Sequence, residues 1–408
     1  MNTDYDILII GGGAAGFFTA INAAEMNPAK RIALLERGKD VLTKVKISGG
    51  GRCNVTHAQY DPRALSKNYP RGEKELLGPF HNFMTGDTVA WFENRGVPLK
   101  TESDGRMFPA SNSSQSIIDC FMAEAERLSI DVLLNNSVKN ISNDGEVWKV
   151  KTAHGMMETS VLVVATGSNP KIWKLMEHLG HTIVPPVPSL FTFNIKDTRI
   201  ADLPGVSTPA SIKVLNEKEK VELESEGPLL ITHWGMSGPA ILKLSAWGAR
   251  ILAPRAYRFT IIVNWIPELS AVEVLEMLMG NKSEFSKQTV LKHAHFGLPK
   301  RLWRNMVMAV GISANETWAE IAKKKLQNLA QQLTASYFEV NGKSTFKEEF
   351  VTAGGIDLKE INFKTFESKK YTGLYFAGEV LNIDAITGGF NFQNAWTGAF
   401  MVAQAIAK

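Results

Sequence analysis

The first turn of this chain constrains its fold most. Tyr5 to Ile10 is a short β-branched and apolar run, Gly11-Gly12-Gly13-Ala14-Ala15-Gly16 follows without a gap, and Phe17 to Glu25 has helical composition. Strand, glycine turn and helix in that order make the opening of a dinucleotide-binding domain. Gly11 permits the tight bend, Gly13 lets the backbone approach a pyrophosphate, and Gly16 lets the helix lie close to the strand. Ala14 and Ala15 fall in the first helical turn, where unpaired N–H groups and the positive end of the helix dipole face a phosphate. A second strand, Arg31 to Leu35, ends in Glu36, twenty residues beyond Gly16. A carboxylate there can accept both hydroxyl hydrogens of an adenosine ribose, and it argues against a 2′-phosphate. FAD, NAD and S-adenosylmethionine all remain open on this segment alone.

Three further segments select flavin. Lys46-Ile47-Ser48-Gly49-Gly50-Gly51-Arg52-Cys53-Asn54 is a second glycine turn, which a simple NAD domain does not need. Gly50 and Gly51 allow main chain to lie against a ligand, while Ser48, Arg52 and Asn54 offer polar contacts to phosphate, ribityl chain or ring. Val161 to Ala165 reads as a buried strand that stops at Thr166-Gly167, where a chain passes beneath a dinucleotide. Near the C-terminus, Gly373 to Glu379 is a strand ending in Gly378-Glu379, followed by Thr387-Gly388-Gly389-Phe390-Asn391-Phe392-Gln393 and a helix. In glutathione-reductase-like FAD proteins the carboxylate of such a strand end holds the ribityl hydroxyls. The helix behind it turns amides toward N1 and O2 of the isoalloxazine. Glu379 and the amides near Gly389, Asn391 and Phe392 take those places here. S-adenosylmethionine leaves the Gly378-Glu379 segment without a role. Arg37, Lys44, Cys53 and Val138 complete the candidate cofactor contacts, Cys53 as a small space-filler beside the ligand. Gly235-Met236-Ser237-Gly238-Pro239 has the wrong spacing for a second nucleotide turn and reads as an ordinary turn, so a dedicated NAD(P) domain is missing.

These segments, with Gly105-Arg106-Met107-Phe108-Pro109, Thr232-His233-Trp234-Gly235-Met236-Ser237-Gly238-Pro239-Ala240 and Thr352-Ala353-Gly354-Gly355, carry a resemblance. The chain resembles the aminoacetone oxidase and BaiN-type family of NAD(P)/FAD-dependent flavoprotein oxidoreductases over essentially its whole length. The resemblance implies an α/β fold: a glutathione-reductase-like FAD-binding domain built from both ends of the chain, around an inserted β-barrel-like plus helical (α+β) domain. The expected boundaries are 1–188 and 351–408 for the FAD domain and 189–350 for the insert. Within the insert, 189–266 is β-rich, 267–335 helical and 336–350 a return strand. The residues agree independently, with strands read at Leu190 to Ile195, Ser211 to Leu215, Val221 to Glu224 and Tyr257 to Trp265, and helices after them. One departure stands out: Ser168-Asn169-Pro170-Lys171-Ile172-Trp173 replaces the glycine- and threonine-rich stretch usual after Ala-Thr-Gly, which weakens inference of substrate from relatives.

The remaining features bound the chemistry. Of 408 residues only 2 are Cys, 67 positions apart and without a CxxC, so electrons must pass through a cofactor. Lys plus Arg number 45 against 41 Asp plus Glu, a net +4 that favours a small-molecule substrate over nucleic acid. The start Met1-Asn2-Thr3-Asp4 lacks a leader pattern and no apolar run reaches a membrane span, so a cytoplasmic location is expected, with no membrane partner. Neither His178 with His181 nor His293 with His295 has a convincing third ligand, and no metal is expected. Asn68 to Gly78, with Pro70, Gly72 and a charge cluster, is the expected mobile loop. Leu302 to Ile312 has helical spacing and reads as core. His233 is the first candidate for proton transfer, with Arg52 and Asn54 as further candidate catalytic groups. The leading expectation is an FAD-dependent oxidoreductase of a small organic molecule, its insert closing over the isoalloxazine. Hydride transfer occurs at flavin N5, and electrons are exchanged with oxygen or transiently bound NAD(P)H. A flavin-dependent RNA-modifying enzyme and a non-catalytic FAD-binding redox sensor are the alternatives.

Overall fold

The computed structural model describes residues 5–145, 147–344 and 351–408. The start Met1 to Asp4 and the last six residues of the expected return strand, 345–350, lie outside the described residues. The chain forms two compact units, one from Met1–Val187 and Lys347–Lys408, the other from Pro188–Phe346.

In the first unit, β1 (Tyr5–Ile10) lies between β2 (Ile32–Leu35) and the strand Met156–Val164, parallel to both. Asp131–Leu133 extends the sheet beyond β2, and Leu374–Phe376 extends it beyond Met156–Val164, again in parallel. Ile7, Leu8 and Ile9 are fully buried, as expected for a parallel strand covered on both faces. The helix α1 (Ala14–Met26) is buried without interruption from Ala15 to Ala24. A helix apolar on every side must be enclosed, and α1 packs against the helices Phe390–Ile406 and Gln115–Arg127 as well as the sheet. Phe18 anchors the contact, with its ring 4.6 Å from Trp91 and 5.2 Å from Trp396. These two indoles keep their N–H groups satisfied: Trp91 donates to Asn22 Oδ1 at 3.1 Å and Trp396 to the Val55 carbonyl at 2.9 Å.

The segment expected to be a mobile loop is ordered structure instead. Glu73–Phe80 is helical, Tyr69 is fully buried with its hydroxyl donating to the Phe390 carbonyl at 2.6 Å, and Arg71 forms a two-pronged pair with the fully buried Asp384. The charge cluster that suggested a loop is the solvent side of that helix. The Ser168-Asn169-Pro170 departure also has a local cause. Asn169 Oδ1 accepts from Lys171 N at 3.0 Å, and Pro170 opens the helix Pro170–His178.

The second unit contains a sheet that closes on itself. Its antiparallel order runs Ser336–Asn341, Arg258–Asn264, Ser207–Leu215, Val221–Thr232, Gly235–Ser237, Thr192–Asn194, Lys343–Ser344. The first and last members are one stretch of chain interrupted at Gly342, which has φ 100°. Gly342 N donates to the Tyr257 carbonyl on one side, and its own carbonyl accepts from Asn194 N on the other. Phe193, Ile212, Val214, Ile231, Met236, Ile261 and Phe338 are all buried in this unit's core. Helices Ala271–Glu284, Lys300–Ala309 and Lys323–Thr334 follow the strands. Leu302, Trp303, Met306 and Val307 are buried, so the expected core helix is present. Two readings need correction. The β-rich stretch contains the helix Pro239–Leu252, and Gly235–Ser237 is a short strand that leads through Gly238 into it rather than a turn. Pro239 occupies the first helical position, where its missing N–H costs nothing.

His181 is a buried side chain with a polar neighbour at each ring nitrogen. Its Nδ1 lies 2.8 Å from Glu360 Oε2 and its Nε2 3.2 Å from Ser368 Oγ. Burial lowers the imidazole pKa against the raising effect of Glu360. Burial pushes the Glu360 carboxyl up, but hydrogen bonds from Lys370, Thr182 and His181 outweigh it and bring the pKa down to about 2. Both shifts make the unfolded chain bind more protons. Stability from Glu360 is therefore complete above about 4.5 and is lost as pH falls toward 2, and that from neutral His181 is lost below about 6.5. Melting temperatures measured from pH 7.5 to pH 4 should fall on acidification. Glu360→Gln should melt lower at pH 7.5 and show a flatter decline below pH 5.

Candidate functional site

The site grows from three strand ends that meet at one edge of the parallel sheet. After β1 the chain turns at Gly11, whose N–H donates to the Leu35 carbonyl at 2.8 Å. Ala165 N donates to Ile10 O at 2.8 Å, and Ala377 N to Val164 O at 3.2 Å. Thr166-Gly167 and Gly378-Glu379 are thereby brought to the end of β1, where the strand order reverses and α/β sheets bind ligands. A methyl group on Gly16 would stand 1.9 Å from the Gly11 carbonyl oxygen, so only glycine permits this helix-to-strand distance. The same addition at Gly13 would meet nothing within 4 Å. Gly13 therefore fronts open space at the head of α1, beside the first-turn amides of Ala14, Ala15 and Gly16.

Glu36 is fixed before any ligand arrives. Its Oε2 accepts from Gly12 N at 3.0 Å and its Oε1 from Gly38 N at 2.8 Å. A carboxylate has about four acceptor positions, so two remain for a diol. Asn135 N donates to Gly38 O and Asn136 N to Glu36 O, which seats the segment leading to the half-buried Val138 beside Glu36. Gly12 and Asn136 belong to this corner although the sequence reading passed over both. A fourth-glycine-like constraint at Gly12 was legible in the triple glycine, whereas Asn136 had no signal. Arg37 is exposed.

The second glycine turn caps a short helix beginning at Thr43. Gly49, Gly50 and Gly51 have φ of 57°, 68° and 82°, a left-handed run that residues with side chains do not sustain. A Cβ on Gly50 would meet nothing within 4 Å, so its backbone also fronts open space. Ser48 Oγ donates to Val45 O at 2.9 Å, and its carbonyl accepts from Cys53 N at 3.0 Å. Cys53 is fully buried, and burial pushes its thiol up to about 12, which leaves it protonated and inert. Cys120 is likewise pushed up, to about 11.

Two expected polar contacts are engaged within the protein. Arg52 Nη1 pairs with Glu102 Oε1 at 2.6 Å, and its guanidinium lies 3.9 Å over the Phe108 ring. Its charge is balanced by a carboxylate 50 residues away, which the sequence did not advertise. Asn54, oriented so that both ends are satisfied, donates to Thr56 O at 3.0 Å and Met107 O at 3.2 Å and accepts from Gly389 N at 3.0 Å. It braces the glycine turn to the start of the last helix. His57, another residue the sequence reading passed over, sets its Nδ1 3.1 Å from the Gly388 carbonyl and stacks on Phe390 at 4.5 Å. Its pKa is lowered chiefly by burial. These contacts fix Gly388-Gly389 and with them the helix Phe390–Ile406, whose first-turn amides include Asn391 and Phe392. The Asn391 side chain is spent on Ala385, to which it both donates and accepts. Phe392 stacks on Trp396 at 5.5 Å. Lys44 Nζ reaches Glu379 Oε2 at 2.6 Å and so holds the second carboxylate at the strand ends.

His233 and Trp234 belong to the other unit. They form the two-residue tip between Thr232 and Gly235, which pair across the hairpin, and both are exposed. No hydrogen bond engages the His233 ring among the described residues, and Thr192 Oγ1 to Ser237 Oγ at 3.1 Å ties the strands below the tip.

FAD fits the residues at the sheet edge. Thr166 Oγ1 and Asn136 Oδ1 are buried without a partner among the described residues. Gly13 and Gly50 leave unfilled cradles, and Glu36 and Glu379 stand ready at opposite ends of the strand-end row for two sets of hydroxyls. A mixed α/β Rossmann-like domain with this arrangement defines a flavin-dependent oxidoreductase. The chain belongs to the HI0933-like family, whose Rossmann domain matches residues 5–405. It is 29% identical over 415 residues to a ribosomal RNA dihydrouridine synthase of Haemophilus influenzae, covering 98% of each chain. It is 25% identical over 408 residues to a 3-dehydro-bile acid delta(4,6)-reductase of Clostridium scindens, again covering 98% of each. Among solved structures, a 3-ketosteroid-delta4-(5alpha)-dehydrogenase of Rhodococcus jostii superposes with TM-score 0.53 at 12% identity, over 100% of this chain and 98% of that one. No helix among the described residues is long and apolar enough to cross a membrane.

Replacing Glu36 by Ala should weaken FAD retention by roughly tenfold or more, since hydrogen bonds to a charged group contribute about 1.5–3 kcal/mol. Equilibrium dialysis of the yellow protein measures this. Thr166→Val should weaken FAD by about fivefold while leaving the melting temperature of the FAD-free protein unchanged, because the hydroxyl has no partner inside the protein to lose.

Proposed function

We propose that this flavoprotein saturates a carbon–carbon double bond conjugated to a carbonyl, with electrons supplied by NAD(P)H bound only transiently. One observation carries the reading. Two relatives matching nearly the full length are named for different substrates but for one reaction. Making dihydrouridine from uridine and reducing the Δ4,6 bonds of a 3-oxo bile acid both add two hydrogens across a double bond activated by a carbonyl. Bound FAD, once reduced, supplies hydride from N5 to the electron-poor carbon of that bond.

This chain's own residues do the rest. Glu36, the α1 amides and the Gly49–Gly51 turn hold the cofactor, and the amides opening the helix Phe390–Ile406 favour negative charge that develops near them. Burial pushes both thiols up, Cys53 to about 12 and Cys120 to about 11, away from the thiolate form that redox chemistry uses. The other carbon of the double bond takes a proton, and we assign its delivery to His233, an exposed imidazole with no hydrogen bond to its ring among the described residues. Oxidation of an amine by oxygen, the other direction open to such a site, has no comparable support.

Anaerobic mixing of the FAD-bound protein with NADPH or NADH should bleach the flavin absorbance near 450 nm. A conjugated enone or a uridine-containing RNA should then restore it, and mass spectrometry should find a product heavier by two hydrogens. Reoxidation by oxygen alone, with both acceptors unchanged, refutes the reading. His233→Gln should retain bleaching by NAD(P)H yet slow product formation by about 10²-fold, the usual range for a lost general acid.

A further inference from the structure

Four consecutive residues that follow the second glycine turn are each tied to the last helix, Phe390–Ile406, or to the turn that opens it. Asn54 accepts from Gly389 N at 3.0 Å and the Val55 carbonyl from Trp396 Nε1 at 2.9 Å. Thr56 Oγ1 donates to Gln393 Oε1 at 2.6 Å, and His57 Nδ1 lies 3.1 Å from the Gly388 carbonyl oxygen. A Cβ on Gly389 would stand 2.5 Å from the Thr56 carbonyl oxygen, so backbone meets backbone between these bonds.

Two of the four act on one group. The Gly388 carbonyl and the Gly389 N–H are the two ends of a single peptide, and His57 holds one end while Asn54 holds the other. Both glycines have positive φ, 130° and 97°, and without side chains they let the peptide between them rotate at little steric cost unless it is held. A carbonyl oxygen only accepts, so His57 carries its proton on Nδ1. Nε2 faces Gly105, where a Cβ would stand 2.5 Å from it, and the ring lies on Phe390 at 4.5 Å. The imidazole is held at Nδ1, packed at Nε2 and stacked on one face.

This grip decides what the helix offers a ligand. A helical N–H bonds the carbonyl four residues back, and Gln393 N already reaches Gly389 O at 3.1 Å. The next bond back along the ladder would run from Phe392 N to Gly388 O, the carbonyl that His57 takes. Among the described residues that bond is not made, and the first-turn amides of Phe390, Asn391 and Phe392 have no acceptor. A peptide turned by loss of its His57 partner would close the bond, so the helix would gain a rung and the site would lose a donor. Amides at a helix start favour negative charge, and reduced flavin carries more of it than oxidised flavin.

We propose that His57 is a positioning residue for the flavin: by aiming the Gly388–Gly389 peptide together with Asn54, it keeps the Phe392 amide open to the cofactor and so strengthens the hold on reduced FAD relative to oxidised FAD. This role rests on FAD binding at this helix start. It is independent of which bond the reduced cofactor goes on to saturate.

The test is the two-electron midpoint potential of the full-length, FAD-bound protein, read by equilibration with a reference dye. His57→Phe keeps the stacking on Phe390 and removes the donor, while Asn54, Val55 and Thr56 retain their bonds to the helix. It should lower the ratio of affinities for reduced and oxidised FAD about tenfold, a fall of about 30 mV for a two-electron couple. The affinity for oxidised FAD should change by less than about threefold. His57→Asn, whose side-chain NH2 falls near the place of the imidazole Nδ1, should keep the wild-type ratio to within about twofold. A second readout leaves the donor in place. With nitrogen-15 histidine, NMR of the FAD-bound wild type at pH 8 should show the His57 ring, identified by its absence from the Asn variant, protonated at Nδ1. An unchanged potential in His57→Phe, an equal fall in His57→Asn, or a ring protonated only at Nε2 would each overturn the proposal. A lower melting temperature with an unchanged potential is what a merely structural histidine would give. A protein that shows the expected potentials yet reduces no double bond leaves the role of His57 intact and refutes only the reaction.

Discussion

The contact between Gly16 and the carbonyl of Gly11 sets the distance at which helix α1 lies on strand β1, and the flavin unit is arranged around that distance. A single added carbon at position 16 would press on backbone, not on a side chain that can turn away. With the helix held there, the first-turn amides open onto the same edge as Thr166-Gly167 and Gly378-Glu379. Gly12 falls within reach of Glu36, so the acid that ends β2 is oriented by main-chain groups alone. Little in this corner depends on a flexible side chain, which suits a site that must accept a long, jointed cofactor without reorganising.

The same backbone character explains what could be read without coordinates. Gly11 to Gly16, Gly49 to Gly51 and the Gly378-Glu379 end each state a main-chain conformation through residues that few other positions tolerate, and each stands in the structure as the sequence described it. The strand-then-helix character of the insert was legible in runs such as Tyr257 to Trp265, found as the strand Arg258–Asn264, whereas its barrel-like form was expected from the family resemblance. Pairings between residues far apart in the chain were not legible. Arg52 finds Glu102, Asn54 finds Gly389, and Arg71 finds Asp384 across 313 positions. A charge-rich stretch with proline and glycine looks like a loop until its buried counterion is known, which is why Asn68 to Gly78 misled. Pro239 misled through the opposite error, because proline breaks helices everywhere except at their start.

Charge says little about partners in this chain. A net +4 over 408 residues does not by itself imply a polyanionic partner. Within the insert, residues 189–266 carry nine Lys or Arg against seven Asp or Glu and residues 267–335 nine against six, so neither part is set off from the other by sign.

The closure of the barrel at Gly342 has a consequence for how the chain reaches its native state. The strand that seals one edge against Arg258–Asn264 and the other against Thr192–Asn194 is the last piece of its unit to leave the ribosome. The first unit is in the same position, because Leu374–Phe376 completes a sheet begun at Tyr5. Each unit therefore stays open at an edge until a late strand emerges, Ser336–Asn341 with Lys343–Ser344 for one and Leu374–Phe376 for the other, so their long-range pairings bear the loop-closure cost late. Until then the exposed edges of Met156–Val164 and Thr192–Asn194 are free to pair wrongly, and folding is a race between these late strands and other edges.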